Sequence, residues 1–179
     1  EYFEVAGFRI AQKVLTLFFK RDNVGGQNEF TLPGFQTREF DRSRLEDEVA
    51  AFNNLQPQIF NDRPGYVSRT IDEDRALING LLGVIDDKLI IIAETEENVP
   101  VGMLVCLPDF HQLLAGTSVD RVRILSIGIL PAYVRMGIGT LMGAHLMRNL
   151  LKKSEIVFAE ASLVLADNTA PQQLAKRFR

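Results

Sequence analysis

Three glycines, Gly137, Gly139 and Gly143, stand in the stretch "VRMGIGTLMG", directly after the apolar run "RVRILSIGIL". Glycines at the start of a helix let backbone N–H groups close around phosphate, because no side chain stands between the amides and the oxygens. The spacing therefore points to a phosphate-bearing ligand. In a dinucleotide-binding turn the first glycine sits at the end of its strand. Here "PAYVRM" intervenes, and the turn is too long. A Walker-type loop is excluded, since no Lys-Ser/Thr pair follows the glycines. The remaining alternative is structural, with the glycines permitting close packing of helix on sheet.

The other residues able to do chemistry are few. Glu94, Asp109 and Glu160 lie on or beside apolar segments that read as central strands, and each is a candidate general base. The plainer reading of each is a solvated strand end or half of a structural ion pair. His111, two residues past Asp109, could relay a proton or cap a loop. His145 falls on the flank of the helix that follows the glycines, and Tyr133 in the turn before it reads as packing on the loop. Cys106, in an apolar strand, reads as a buried, inert thiol. Asn168 either caps the last helix or contacts a ligand. With two histidines and one cysteine in the chain, no zinc site of familiar spacing can be assembled, and no metal is expected.

Composition narrows the partners. A net charge of −3 carries no basic excess, so nucleic acid is not expected. The apolar runs are too short to span a membrane. A lone cysteine excludes a disulfide framework and suits a reducing compartment, so a cytoplasmic location is expected. At 179 residues the chain suits one domain with an appendage. It opens at Glu1 rather than Met, which suggests a fragment or unrecorded leading residues.

The elements that must position these residues follow from pattern and punctuation. "VLTLFF" reads as a strand covered on both faces, paired within a sheet over residues 8–19. Turn formers follow, and "GFQTREF" is a short alternating strand. "DRSRLEDEVAAFNNLQPQIF" reads as a helix opened by Asp41 or Ser43 and divided near its end by Pro57. "DRPGYVSRT" is a loop or edge strand, and "TIDEDRALINGLLGVI" a helix capped by Thr70. "KLIIIAET" and "VPVGMLVCLPDF" form a hairpin about "EENV". "RVRILSIGIL" is a strand stopped by Pro131. From Ile138 to Leu151 one face carries Ile138, Leu141, Met142, Leu146 and Leu150. "EIVFAEASLVL" is a strand and "TAPQQLAKRF" a final helix. The order predicts an α/β fold with a mixed sheet.

The turn and glycines resemble motif A of the GNAT N-acetyltransferase superfamily, in which Gln/Arg-x-x-Gly-x-Gly/Ala opens a helix. That pattern lies on "VRMGIG", with Val134 where Gln or Arg is usual. "LADNTAPQQLAKRF" is similar to motif B, and the likeness runs from about Gly34 to Arg179. It extends to the C-terminal module of large two-part bacterial GNAT-like proteins. The resemblance implies a central mixed sheet with splayed strands flanked by helices, and acetyl-CoA or another acyl-CoA as co-substrate. It implies a pyrophosphate held by Val134, Arg135, Met136, Gly137, Ile138, Gly139 and Thr140, and a pantetheine arm along Ile127, Gly128 and Ile129, with Asn168 alongside. Gly128, inside its strand, fits a bulge or a close approach of ligand. The Ile129 N–H is the implied oxyanion donor. The Tyr that often protonates the thiolate in this family is matched by Ala175.

The resemblance also implies domain limits. Residues 1–23 would end an upstream GNAT-like module or supply a sheet-completing strand, 24–33 would be a linker, and 34–179 the GNAT domain. The segment between Phe110 and Arg121 is shorter than the family's. The implied activity is direct acyl transfer from acyl-CoA to a small amine or amino acid. The alternative is a degenerate module that binds CoA or a partner domain without turnover, and a dinucleotide-binding domain is a third reading. A second copy of the chain or a second GNAT-like module stays open as protein partner.

Overall fold

A computed structural model describes residues 2–21 and 29–177. The elements are α1 (Tyr2–Val5), β1 (Val14–Lys20), β2 (Phe35–Glu39), α2 (Leu45–Phe60), α3 (Ile71–Leu81), β3 (Ile90–Thr95) and β4 (Pro100–Pro108). They continue with α4 (Phe110–Leu114), β5 (Arg121–Ile129), α5 (Ile138–Leu151), β6 (Phe158–Leu165) and α6 (Thr169–Arg177). All six strands join one mixed sheet in the order β1-β6-β5-β4-β3-β2. Only β5 and β6 run parallel, because α5 crosses between them; the other pairs are antiparallel.

The sheet buries both faces. Ile91, Ala93, Leu104, Cys106 and Val122 point to one side, against Ile138, Met142, Leu146 and Leu150 of α5 and Ala175 of α6. Ile90, Val105 and Leu107 point to the other, against Val49 of α2 and Ile78 of α3. Thr70 and Glu73 form the reciprocal cap that starts α3. Asn53 and Arg69 both donate to Asp74, at 2.8 and 2.5 Å, and tie α2 to α3. The other end of the fold is joined by His145, whose Nδ1 lies 2.9 Å from the Thr37 hydroxyl, and by Asn149, which donates to Glu39 at 2.8 Å.

Three expectations change, in α2, in where the N-terminal strand begins and in its burial: Val14, Leu15 and Phe18 of β1 are exposed, so that edge strand is not covered on both faces. Helix α2 does not divide at Pro57 but runs through it to Phe60. Burial of Leu55 and Gln56, directly before the proline, offsets the one lost backbone bond. The N-terminal strand begins at Val14, and residues 8–13 form no strand. β1 lies antiparallel on β6, with Leu17 and Phe19 against the α5-side core. Within the segment read as a linker, Phe30 and Leu32 are packed against that core, and Leu32 bridges to Phe35. Residues 22–28 lie outside the described residues.

Candidate active site

The site begins where two neighbouring strands stop pairing. β5 and β6 share the pairs Arg121–Phe158 through Ile124–Ala161 and no further. Immediately beyond, each strand carries an extra residue relative to its outer neighbour. In β5 it is Leu125, between the pairs Val105–Ser126 and Cys106–Ile124. In β6 the extra residue falls within Ser162–Leu163, where Leu163 takes φ of 58°. A bulge bends its strand and increases its twist, so paired bulges at one level drive the two strands apart.

The parted stretch of β5 exposes backbone in a defined direction. Leu130 N–H donates to Val101 C=O at 2.9 Å. Alternation along an antiparallel ladder then turns the N–H and C=O of Ile129 and Ile127 away from β4, toward the side β6 has left. Gly128, between them, faces its ladder partner Met103. Its missing Cβ is explained by packing: a Cβ there would lie 2.3 Å from Ile59 Cγ2 and 2.9 Å from Phe60 Cζ. The expected bulge is real but sits three residues earlier, at Leu125.

The glycine loop abuts this opening. Pro131–Tyr133 form a 3-10 turn, Arg135 takes φ of 71° and Gly137 φ of 98°, which delivers the chain into α5. Gly137 needs to be glycine on that count alone. Its carbonyl accepts from Thr140 at 2.9 Å and Leu141 at 3.1 Å. Among the described residues no main-chain carbonyl outside the helix accepts from the amides of Gly137, Ile138 or Gly139. They are the free donors of a helix N-terminus. At Gly139 a Cβ would meet Ile129 Cδ1 at 3.5 Å and Leu174 at 3.7 Å, ordinary contact distances where α5, α6 and β5 converge, so packing alone does not demand glycine there. Phe30 and Leu32 lie 3.6–3.7 Å from the place of a Gly137 Cβ, and Phe35 packs edge-on to Tyr133.

The three carboxylates are all buried and all paired. Glu160 accepts from Arg123 at 2.9 Å and from the Ser162 hydroxyl at 3.2 Å, with Arg121 at 3.5 Å. It lies one residue from Ala161, at the fork of the parting. Asp109 caps α4 through the His111 N–H at 2.9 Å and pairs with Arg123 at 3.2 Å. Burial pushes its pKa up, but the His111 amide and the Arg123 guanidinium outweigh that and hold it below the ordinary value. Glu94 pairs with Arg38 at 2.6 Å, and the same guanidinium binds Glu48. Glu94 stands on β3, two strands from β5, so the structure does not bring it to the parting.

His111 is exposed on α4, and His145 belongs to the α5–β2 contact. Burial pushes the Cys106 thiol up and keeps it unreactive. Ala175 is buried in the core, and Asn168 is half-buried before α6. Val134 and Met136 are exposed on the loop. Sequence reasoning missed Arg177, whose Nη1 donates to Thr140 Oγ1 at 2.7 Å, because no pattern signals a contact between α6 and the first turn of α5. It also missed Arg121 and Arg123, whose alternation on β5 is visible in "RVRILS".

Known proteins match this chain in sequence pattern and in fold. The sequence model of the Acetyltransferase (GNAT) family covers residues 46–178. The chain belongs to the GNAT acetyltransferase family. Solved GNAT structures share the fold at low identity. A GCN5-related N-acetyltransferase from Sphaerobacter thermophilus superposes with a TM-score of 0.74 at 17% identity, over 98% of this chain and 50% of that one. One from Kribbella flavida gives 0.57 at 13%, over 97% and 58%. The structure of AAC(6')-Iy in complex with the bisubstrate analogue CoA-S-monomethyl-acetylneamine gives 0.55 at 19%, over 80% and 88%. The chain thus spans only about half the length of the first two. Among curated protein sequences it has no match. The α/β fold with a mixed sheet flanked by helices is the GNAT fold that the sequence implied.

Proposed function

We propose that this GNAT chain is an acyl-CoA-dependent N-acyltransferase, in the simplest case an N-acetyltransferase, acting on a small amine or amino acid. The observation that carries the reading is the parting of β5 from β6 next to the free amides of Gly137, Ile138 and Gly139. Those amides suit a pyrophosphate, with Val134, Arg135, Met136 and Thr140 completing the loop around it. The outward-turned groups of Ile127 and Ile129 suit the amides of a pantetheine arm, which would run beside β5 as a strand does. Asn168, at the head of α6, is proposed to flank that arm.

The chemistry is one displacement. The amine nitrogen attacks the thioester carbonyl, the C–N bond forms, the C–S bond breaks and CoA leaves as thiolate. The Ile129 N–H is the proposed donor to the developing oxyanion. Of the three carboxylates, Glu160 is proposed to take the amine's proton, because it alone lies at the fork. Asp109 is one arginine removed from it, and Glu94 is engaged by Arg38. No tyrosine replaces Ala175; a thiol of pKa about 8.5 leaves tolerably without one.

A second reading, a GNAT module that binds CoA or a partner without turnover, is favoured by the buried Ala175 and by the arginine pairing of every candidate base. Calorimetric titration with acetyl-CoA and NADPH tests the ligand class, and CoA-thiol release over an amine panel tests turnover. Binding of acetyl-CoA with thiol release supports the first reading, and binding without release the second. Preference for NADPH refutes both. A second GNAT-like module is the proposed protein partner, supported by the double length of the Sphaerobacter structure. A cytoplasmic location is proposed from the single, buried, free thiol. Among the described residues no helix is long and apolar enough to cross a membrane.

A further inference from the structure

We propose that Arg177, in the last turn of α6, is a phosphate ligand of the acyl-CoA site and supplies the cation that the loop lacks at Val134. The inference rests on the acyl-CoA reading and adds to that site a side chain from another helix. Arg177 Nη1 donates to Thr140 Oγ1 at 2.7 Å, which brings the guanidinium to the third residue of α5. Its backbone is fixed there: Leu174, one turn earlier, lies against Gly139, and Ala175 is buried in the core.

Arg177 closes α6, whose C-terminal carbonyls favour a cation, and its guanidinium faces the positive end of α5. The N-terminus of a 14-residue helix carries roughly half a positive charge, and a cation beside it is repelled. No acidic residue lies in the first turn of α5, and among the described residues no carboxylate pairs with Arg177. A guanidinium has five N–H donors in a planar fork, and Thr140 accepts one of them. An anion seated on the Gly137–Gly139 amides would meet two positive poles at once, the helix end and the guanidinium. A diphosphate fits, since arginine binds phosphate oxygens through charge-assisted, bidentate hydrogen bonds.

The test is calorimetry with acetyl-CoA on the parent and on Arg177→Gln, Arg177→Lys and Lys176→Gln, each at low and high salt, with melting curves. Arg177→Gln is expected to weaken acetyl-CoA at least tenfold at low salt, and the loss should shrink as salt screens the charge. Arg177→Lys should recover part of it, and Lys176→Gln, one residue away on an exposed position, should stay within twofold of the parent. The melting temperature of Arg177→Gln should match the parent. A loss below twofold overturns the proposal and leaves the acyl-CoA reading standing. A loss that is independent of salt and accompanied by a lower melting temperature also overturns it, since Arg177 would then only brace α6. Failure of the parent to bind acetyl-CoA overturns the reading and the proposal together.

Discussion

Gly128→Ala is expected to destabilise the free protein, although a glycine inside a strand is ordinarily a weak point. Without a clash the change would gain about 0.4–1 kcal/mol by restricting the unfolded chain. Here the new Cβ would stand 2.3 Å from Ile59 Cγ2 and 2.9 Å from Phe60 Cζ. Carbon atoms rest about 3.5–4.0 Å apart, so the end of α2 must retreat by roughly 1 Å. Phe60 Cζ is the tip of a ring and can swing aside. Ile59 Cγ2 is fixed to a β-branched carbon with one preferred helical rotamer, so it moves only if the helix moves. Overpacking of this kind costs about 1–3 kcal/mol. The net loss is about 1–2 kcal/mol, or roughly 2–8 °C in melting temperature for a chain of this size. Urea titration measures it, with an unchanged slope showing that the same surface unfolds. In an Ile59→Ala background the Cβ has room, and the same substitution should cost less than about 0.5 kcal/mol by the same overpacking argument. A neutral or stabilising Gly128→Ala in the parent would refute the packing account and return this glycine to a role in ligand approach alone.

Four further outcomes follow from the same geometry. Arg38→Met leaves Glu48 and Glu94 buried without a counter-charge and should cost about 3–5 kcal/mol by denaturant titration; a loss under about 1 kcal/mol would show that water already solvates the pair. Glu160→Gln should lower the turnover number by about a hundredfold or more with acetyl-CoA affinity within about twofold of the parent, as expected for an interaction made only in the transition state, and an unchanged rate and pH profile would place the base elsewhere. Burial and the nearby Arg148 push the His145 pKa down, against the opposing pull of Glu39. The unfolded chain therefore binds the proton first, so this contribution is complete above the ordinary histidine pKa of about 6.5 and is lost as pH falls below it; His145→Gln should flatten that part of the stability profile, and an equal slope in the variant would count against it. Hydrogen exchange should be slow at those amides of Val14–Lys20 that bond β6 and fast across residues 9–13; uniform fast exchange over both would detach β1 from the sheet.

The parts of this fold that were legible are those governed by short-range rules. Thr70 announced α3, the hairpin about "EENV" set β3 on β4, and Gly137 marked the start of α5. What escaped depends on contacts remote in sequence. Pro57 reads as a breaker, yet the burial of Leu55 and Gln56 just before it holds α2 together through it. Gly128 reads as a bulge or a close approach of ligand, whereas the strand bulges at Leu125, a residue with no local signal, and Gly128 admits Ile59 from α2. The three carboxylates look interchangeable in sequence. Only the ladder separates Glu160, opposite Arg123 at the fork, from Glu94 on β3.

The placement of the fork also says why the arginines on β5 are where they are. Arg121 and Arg123 occupy the last paired stretch before the strands separate, opposite Phe158 and Glu160. Arg123 spans Asp109 and Glu160, and Arg121 lies over the rings of Phe18 and Phe158 at 5.3 and 5.8 Å. These side-chain ties cross-link β1, β6, β5 and the end of β4 just below the level where the backbone ladder between β5 and β6 ends. A sheet that gives up hydrogen bonds along half of an interior pair needs such clamps, because parting would otherwise propagate down the ladder. On this view Arg123 does two things: it fixes the depth of the opening, and it holds the Glu160 carboxylate at its mouth. Arg123→Met should then raise exchange at Val122 and Ala159, below the fork, as well as weakening turnover, whereas Glu160→Gln, which can still accept a hydrogen bond from the guanidinium, should leave that exchange near the parent's. Equal protection of Val122 and Ala159 in Arg123→Met and the parent would show that the bulges alone set where the strands divide.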